Sequence, residues 1–261
     1  MDPQLSISLI QRDIKWEDVD ANLNNFRQQI HNTNTGDLII LPEMFNTGFT
    51  MNAVSMADSA ELTLDWMKEQ SQQKEAMVMG SFIVKDGEYY FNRMHWVYPN
   101  GNFGFYDKVH PFRMMEEDTH YSAGTSRKIF EWKGWKILPL ICYDLRFPKL
   151  SLNRFEEESQ EIDYDLLVYV GNWPASRISA WDTLLKARAM ENSAYVASVN
   201  RIGLDINGVA FNGHSNVYDP RGHSLADTFE DESVETVSLN KKDLQAYREK
   251  FPTHLDWGRY M

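Results

Sequence analysis

The chain holds one cysteine, and its setting makes it the first candidate for chemistry. Cys142 closes the apolar run Ile137-Leu-Pro-Leu-Ile-Cys142 and is followed by Tyr143, Asp144, Arg146 and Pro148. A buried strand that ends abruptly in polar, turn-forming residues presents its last side chain at the rim of a sheet. Two more segments have this form, Leu38-Ile-Ile-Leu-Pro-Glu43 and Phe103-Gly-Phe-Tyr-Asp-Lys108. A carboxylate, an amine and a thiol at three strand ends can together hydrolyse a carbon–nitrogen bond without metal or cofactor. A lone cysteine is more often a small buried hydrophobe, and a glutamate or lysine after a strand is more often a solvated charge. The polar residues after Cys142 argue otherwise, because a sharp strand-to-helix turn exposes a nucleophile beside backbone N–H groups that can hold an oxyanion.

A free thiol and a free carboxylate differ by about 4 pKa units, so proton transfer between them in water costs about 5–6 kcal/mol. Burial raises a carboxyl and an adjacent ammonium lowers a thiol. The three groups are therefore expected in one dry pocket.

Other chemistries find little support. His110, Glu116, Glu117, Asp118 and His120 are near one another in sequence, but no HExxH or paired-histidine ligand motif accompanies them, so no metal is expected. There is no G-x-S-x-G elbow, P-loop or G-x-G-x-x-G fingerprint, and no cofactor is expected. The 38 acidic residues outnumber the 26 basic ones, which argues against nucleic acid and anionic membranes as partners. No apolar stretch approaches the roughly 20 residues that span a bilayer. Met1-Asp-Pro-Gln-Leu-Ser lacks the basic and apolar regions of a secretory leader, and a single cysteine suits a reducing cytosol. A cytoplasmic location follows as an expectation.

The elements that must position these residues alternate. Strands are expected at Leu5–Ile10, Leu38–Leu41, Met77–Val84, Tyr89–Tyr98, Phe103–Asp107, Ile129–Trp132, Lys136–Cys142, Leu166–Val170, Tyr195–Val199, Ser215–Tyr218 and Glu235–Leu239. Helical spacing marks Trp16 to Ile30, Leu62 to Lys74, Ile178 to Ala189 and Lys241 to Lys250, with a further helix entered through Pro148. Asp86-Gly87 reads as a tight hairpin. Pro139 removes a ladder donor, so it belongs at a bulge or where the strand has no neighbour on that side. Glu156-Glu-Glu-Ser-Gln-Glu161 reads as an exposed helix end and the loop after it. With no linker or repeat, one domain over residues 1–261 is expected, an α/β fold with a mixed sheet or sheet pair under outer helices.

The chain resembles the nitrilase superfamily of carbon–nitrogen hydrolases, whose three motifs centre on Glu, Lys and Cys in this order. They stand here as Leu41-Pro-Glu-Met-Phe45, Tyr106-Asp-Lys-Val-His110 and Leu140-Ile-Cys-Tyr-Asp-Leu-Arg146. Gly171-Asn-Trp-Pro174, Ala187-Arg-Ala-Met-Glu-Asn192 and Asn212-Gly-His-Ser215 extend the likeness over nearly the whole chain. Asn46-Thr-Gly-Phe49, Phe112-Arg-Met-Met115, His120-Tyr121 and Tyr247-Arg-Glu-Lys-Phe-Pro252 are similar to the bacterial omega-amidase branch. The resemblance implies a four-layer α-β-β-α sandwich and a homodimer. It implies Glu43 as general base, Lys108 as oxyanion-stabilising cation, Cys142 as nucleophile and the Tyr143 N–H as second oxyanion donor. A second, positioning glutamate is assigned to Glu117, with Glu116 the alternative.

Omega-amidase substrates such as 2-oxoglutaramate and 2-oxosuccinamate carry a carboxylate that suits an arginine fork. Arg113 and Arg177, near the motifs in linear order, are the candidates, and Phe45, Phe112 and Trp173 are candidate apolar walls. Arg146 is expected to act indirectly by pairing with a buried carboxylate. Three rivals share the enzymology: a nitrilase, a carbamoyl-amine hydrolase and an amidase for deaminated glutathione. From a different class comes a catalytically silent nitrilase-fold binding protein, against which the intact Glu43, Lys108 and Cys142 speak.

Overall fold

The computed structural model describes residues 4–33, 36–226 and 230–257. Met1–Pro3, the start of the stretch read for a leader, lie outside the described residues. Two sheets carry the architecture. The first has six strands in the order Ser233–Asn240, Gln4–Gln11, Leu38–Ile40, Met77–Asp86, Tyr89–Val97 and Phe103–Asp107. The second has five, in the order Asn216–Tyr218, Tyr195–Asn200, Leu166–Gly171, Trp135–Ile141 and Phe130–Trp132.

Alternation along the strands decides what each face meets. In the first sheet Ile10, Ile39, Val78 and Phe82 meet Leu23, Phe26 and Ile30 of helix Val19–Asn32 and Trp66 and Met67 of helix Ala60–Lys74. Their neighbours Leu9, Leu38, Ile40, Met77 and Met79 join Leu138, Leu140, Val168 and Val170 of the second sheet in one core. Trp181, Leu185 and Ala189 of helix Ile178–Glu191 and Leu244 of helix Lys241–Lys250 close that core on its far side. Fully burying each such side chain contributes about 1.5–3 kcal/mol. The layers run helix, sheet, sheet, helix, the sandwich expected from the motifs.

Local sequence explains most boundaries. Asp86 pairs with Tyr89 across a two-residue loop in which Gly87 takes φ 60°. Pro139 has a sheet neighbour on one side only: it pairs with Val168, whereas the edge strand Phe130–Trp132 stops at the partner of Ile137. The missing N–H therefore costs no ladder bond on the open side.

One expectation needs correction, and two details are added. Glu156 to Glu161 is a hairpin rather than a helix end, with Phe155–Glu156 pairing antiparallel to Glu161–Ile162. The helix entered through Pro148 is a single turn, Pro148–Ser151. A second hairpin, Ile202–Leu204 with Ala210–Asn212, was not foreseen, although Asn207-Gly208 in its loop carries the signal for it.

Candidate active site

The three strand ends converge. Strand Leu38–Ile40 delivers Glu43 through Leu41, whose amide still bonds Met79 O, and Pro42. Strand Phe103–Asp107 delivers Lys108, whose amide bonds Asn92 O at 3.0 Å. Strand Trp135–Ile141 delivers Cys142 at the start of the 3-10 turn Cys142–Arg146. Cys142 has φ 45°, in the left-handed region that costs an L-residue about 1–2 kcal/mol.

Lys108 lies between two buried carboxylates. Its Nζ donates to Glu43 Oε1 at 2.8 Å and to Glu117 Oε2 at 2.9 Å and Oε1 at 3.1 Å. The Phe49 ring covers the ammonium at 5.1 Å. Glu43 Oε1 also accepts from Asn92 Nδ2 at 2.8 Å, and its Oε2 accepts from the Asn172 amide at 2.8 Å. Glu117 accepts further from the Phe112 amide at 2.5 Å and from Asn92 Nδ2 at 3.3 Å. Of the glutamate doublet, Glu117 is wholly buried against Lys108, while Glu116, at φ 58°, is exposed.

These contacts set the electrostatics. Burial alone would lower the Lys108 pKa, but Glu117 and Glu43 more than reverse this and hold the ammonium above its ordinary value. Burial raises the Glu117 carboxyl against the opposing pull of Lys108. Burial and the Glu43 carboxylate push the Cys142 thiol well up, and Lys108 offsets only part of this. The expected lowering by an adjacent ammonium is outweighed first by burial and then by the Glu43 carboxylate. The Cys142 side chain that faces the cavity is thus biased toward its thiol form.

That cavity, of about 80 Å³, is lined by Cys142, Phe49, Phe112, Trp173, Arg146 and Arg177 among others. Arg146 lies over the Trp173 ring at 5.0 Å and Arg177 over Phe112 at 5.3 Å. Among the described residues neither guanidinium has a carboxylate partner, so the pairing expected for Arg146 does not occur. Tyr143 packs edge-on to Phe112 at 5.0 Å and also lines the cavity.

Two expected pocket residues lie elsewhere. Arg113 belongs to the short turn Arg113–Met115; its side chain is 85% exposed and pairs with Asp118 at 3.3 Å. Phe45 points into the outer layer among Phe26, Trp66 and Phe82, over Gly80, where a Cβ would come within 2.9 Å of its ring. Sequence reasoning missed Asn92 and the contribution of Asn172. Asn92 shared a strand face with the buried Met94 and Trp96, and a polar residue on a core face is the signal that could have found it.

The chain belongs to the carbon–nitrogen hydrolase family, whose model matches residues 6–249. It is 44% identical over 255 residues to omega-amidase YafV of Escherichia coli strain K12, with 97% of each chain covered. It is 30% identical to the 2-oxoglutaramate amidase of Bacillus subtilis strain 168, with 96% of each covered. Among solved structures, a CN-hydrolase superfamily protein of Xanthomonas campestris with an arsenic adduct in its active site superposes with a TM-score of 0.94. That protein shares 39% identity over 97% of each chain.

Proposed function

We propose that the protein is an omega-amidase, hydrolysing the terminal amide of small omega-amido 2-oxo acids such as 2-oxoglutaramate and 2-oxosuccinamate. The observation that carries this reading is one small cavity with the Cys142 thiol at one side and the guanidinium groups of Arg146 and Arg177 in its lining. The kinship to YafV supports the same choice.

Glu43 Oε1 already accepts from Lys108 and Asn92, whereas Oε2 accepts from the Asn172 amide, and the carboxylate is within hydrogen-bond reach of the Cys142 thiol. Oε2 is thus the oxygen with room for the thiol proton. Proton transfer to it and attack of the sulfur on the amide carbon proceed together, since the thiol is raised and does not ionise beforehand. Lys108 and the Tyr143 N–H hold the developing oxyanion; one such donor is worth about 3 kcal/mol. The proton passes from Glu43 to the departing nitrogen, ammonia leaves and a thioester remains. Water, deprotonated by Glu43, then releases the acid and restores the thiol. Glu117, its oxygens occupied by Lys108, Asn92 and the Phe112 amide, holds the ammonium and the Phe112 wall in place.

A carboxylate on the substrate is met by Arg146 and Arg177, with Phe112 and Trp173 as apolar walls. Arg113, turned away from the cavity, has no part in this. We also read the chain as a single hydrolase domain that works as a homodimer in the cytosol. Among the described residues no helix is long and apolar enough to cross a membrane.

The test is ammonia release from 2-oxoglutaramate, glutamine, a carbamoyl-amine and a simple nitrile, for wild type and Cys142→Ala. Selective, Cys142-dependent release from the keto-amide is expected. Activity on another compound alone would discard the branch and keep the chemistry. A thiol inert to active-site alkylators, with no release from any compound, would leave a silent binding protein.

A further inference from the structure

The nucleophile turn and the lysine strand come from different sheets, and one side chain ties them together. Asp144, wholly buried, stands two residues past Cys142. Its Oδ2 accepts from the Tyr106 hydroxyl at 2.7 Å and from the Ile141 amide at 3.1 Å. Its Oδ1 accepts from the His110 amide at 2.9 Å, and His110 Nδ1 lies 2.9 Å from the same oxygen. Tyr106 and His110 stand two residues either side of Lys108, and Ile141 immediately precedes Cys142. One carboxylate therefore grips the chain on both sides of the amine and just ahead of the thiol. Asp144 itself is not among the residues that line the cavity.

The grip falls where geometry is most demanding. Cys142 holds φ 45°, a conformation its own side chain disfavours, so the backbone on either side must impose it. The bond from the Ile141 amide fixes the residue before that turn. The Tyr106 phenol is pushed up by burial and by the Asp144 carboxylate, so it stays a hydrogen-bond donor. The His110 ring is in turn stacked on Phe147, 3.7 Å between centroids, which continues the nucleophile turn.

We propose that Asp144 is a positioning residue for the hydrolysis: it registers the Cys142 turn against the Lys108 strand, and so sets where thiol, ammonium and Tyr143 N–H meet. The nature of the reaction rests on the amidase reading; the registration stands on the geometry alone.

The experiment compares Asp144→Asn and Tyr106→Phe with wild type in three measurements. These are steady-state ammonia release, the rate of Cys142 alkylation by iodoacetamide across pH, and thermal unfolding. Asp144→Asn keeps the volume but sets an amide donor either against the Ile141 N–H and the Tyr106 hydroxyl or, turned over, against the His110 N–H. Misplacing reacting groups by about 1 Å costs on the order of 100-fold. We expect kcat and the alkylation rate of Asp144→Asn to fall by about that factor while KM stays within about threefold. Tyr106→Phe, which loses the bond to Asp144 and the longer one accepted from the Val109 amide, should follow in the same direction by about 10-fold in both rates. Folded variants with lowered melting temperature but wild-type kcat and alkylation would make Asp144 a purely structural acid and overturn the proposal. If Asp144→Asn does not fold, Tyr106→Phe decides between the same two outcomes. Alkylation needs no amide substrate, so a fall in its rate without keto-amide turnover would sink the substrate assignment and leave the positioning role standing.

Discussion

Asn92 Nδ2 donates to Glu43 Oε1 at 2.8 Å from the middle of a strand that carries none of the three motifs. The same nitrogen reaches Glu117 Oε1 at 3.3 Å, so one amide lies between both carboxylates that flank Lys108. Two like charges in one buried site are tolerated only where donors are shared out between them. Asn92 and Lys108 divide that task.

Removing this amide should therefore cost turnover rather than substrate binding. A hydrogen bond to a charged group is worth about 1.5–3 kcal/mol, so Asn92→Ala is expected to lower kcat by roughly 10–100-fold. Asn92→Asp, which adds a third carboxylate, should fall further. Steady-state ammonia release under saturating substrate checks both, and an Asn92→Ala enzyme at wild-type kcat would dismiss the role.

Lys108→Met leaves Glu43 and Glu117 buried, adjacent and without their cation. Breaking a buried ion pair on one side costs about 3–5 kcal/mol, and the variant should unfold at correspondingly lower urea concentration as well as lose turnover. The additional change Glu117→Gln removes one orphaned charge and should recover part of that stability, though no activity.

The raised Cys142 thiol makes a prediction with a definite sign. In the unfolded chain the thiol ionises near its ordinary pKa of about 8.5; in the folded protein it remains protonated to higher pH. Below about pH 8.5 both states bind the proton and the contribution is whole. Above it the unfolded state binds fewer protons, so stability falls with rising pH by up to about 1.4 kcal/mol per unit until the folded pKa is passed. Urea midpoints of wild type should decline more steeply above that point than those of Cys142→Ala. Thiolate absorbance near 240 nm, taken as the difference between the two proteins, should stay low in the folded state at pH 9.

Arg146→Ala and Arg177→Ala are each expected to raise KM for the keto-amide by about 10–100-fold with smaller effects on kcat. Because both would hold one carboxylate, the double variant should lose less than the product of the single losses. Arg113→Ala, altering an exposed ion pair, should leave both parameters unchanged. A KM raised only in the Arg113 variant would return the carboxylate to the other side of the Phe112 wall.

Much of this site could be read before any coordinates, because its parts sit where apolar runs stop. Glu43 and Cys142 each follow a buried strand and Lys108 a half-exposed edge strand, and strand ends are set by local pattern. The pocket was less legible, since linear nearness to a motif says little about direction. Arg113 is four residues from the buried Glu117 yet faces solvent, while Arg146, four residues past Cys142, lines the cavity. Phe45, two residues past Glu43, turns to the opposite layer because Gly80 leaves room for its ring there. The Glu156–Glu161 hairpin was mistaken because a run of charges is equally at home on an exposed helix end and an exposed two-stranded ribbon.

The left-handed backbone at Cys142 sets chemistry and durability against each other at one codon. Glycine adopts that conformation freely and alanine does not, so Cys142→Gly should escape about 1 kcal/mol of backbone cost that Cys142→Ala keeps. Any side chain at position 142 therefore carries a standing conformational cost, and the role proposed for the thiol is what would offset it.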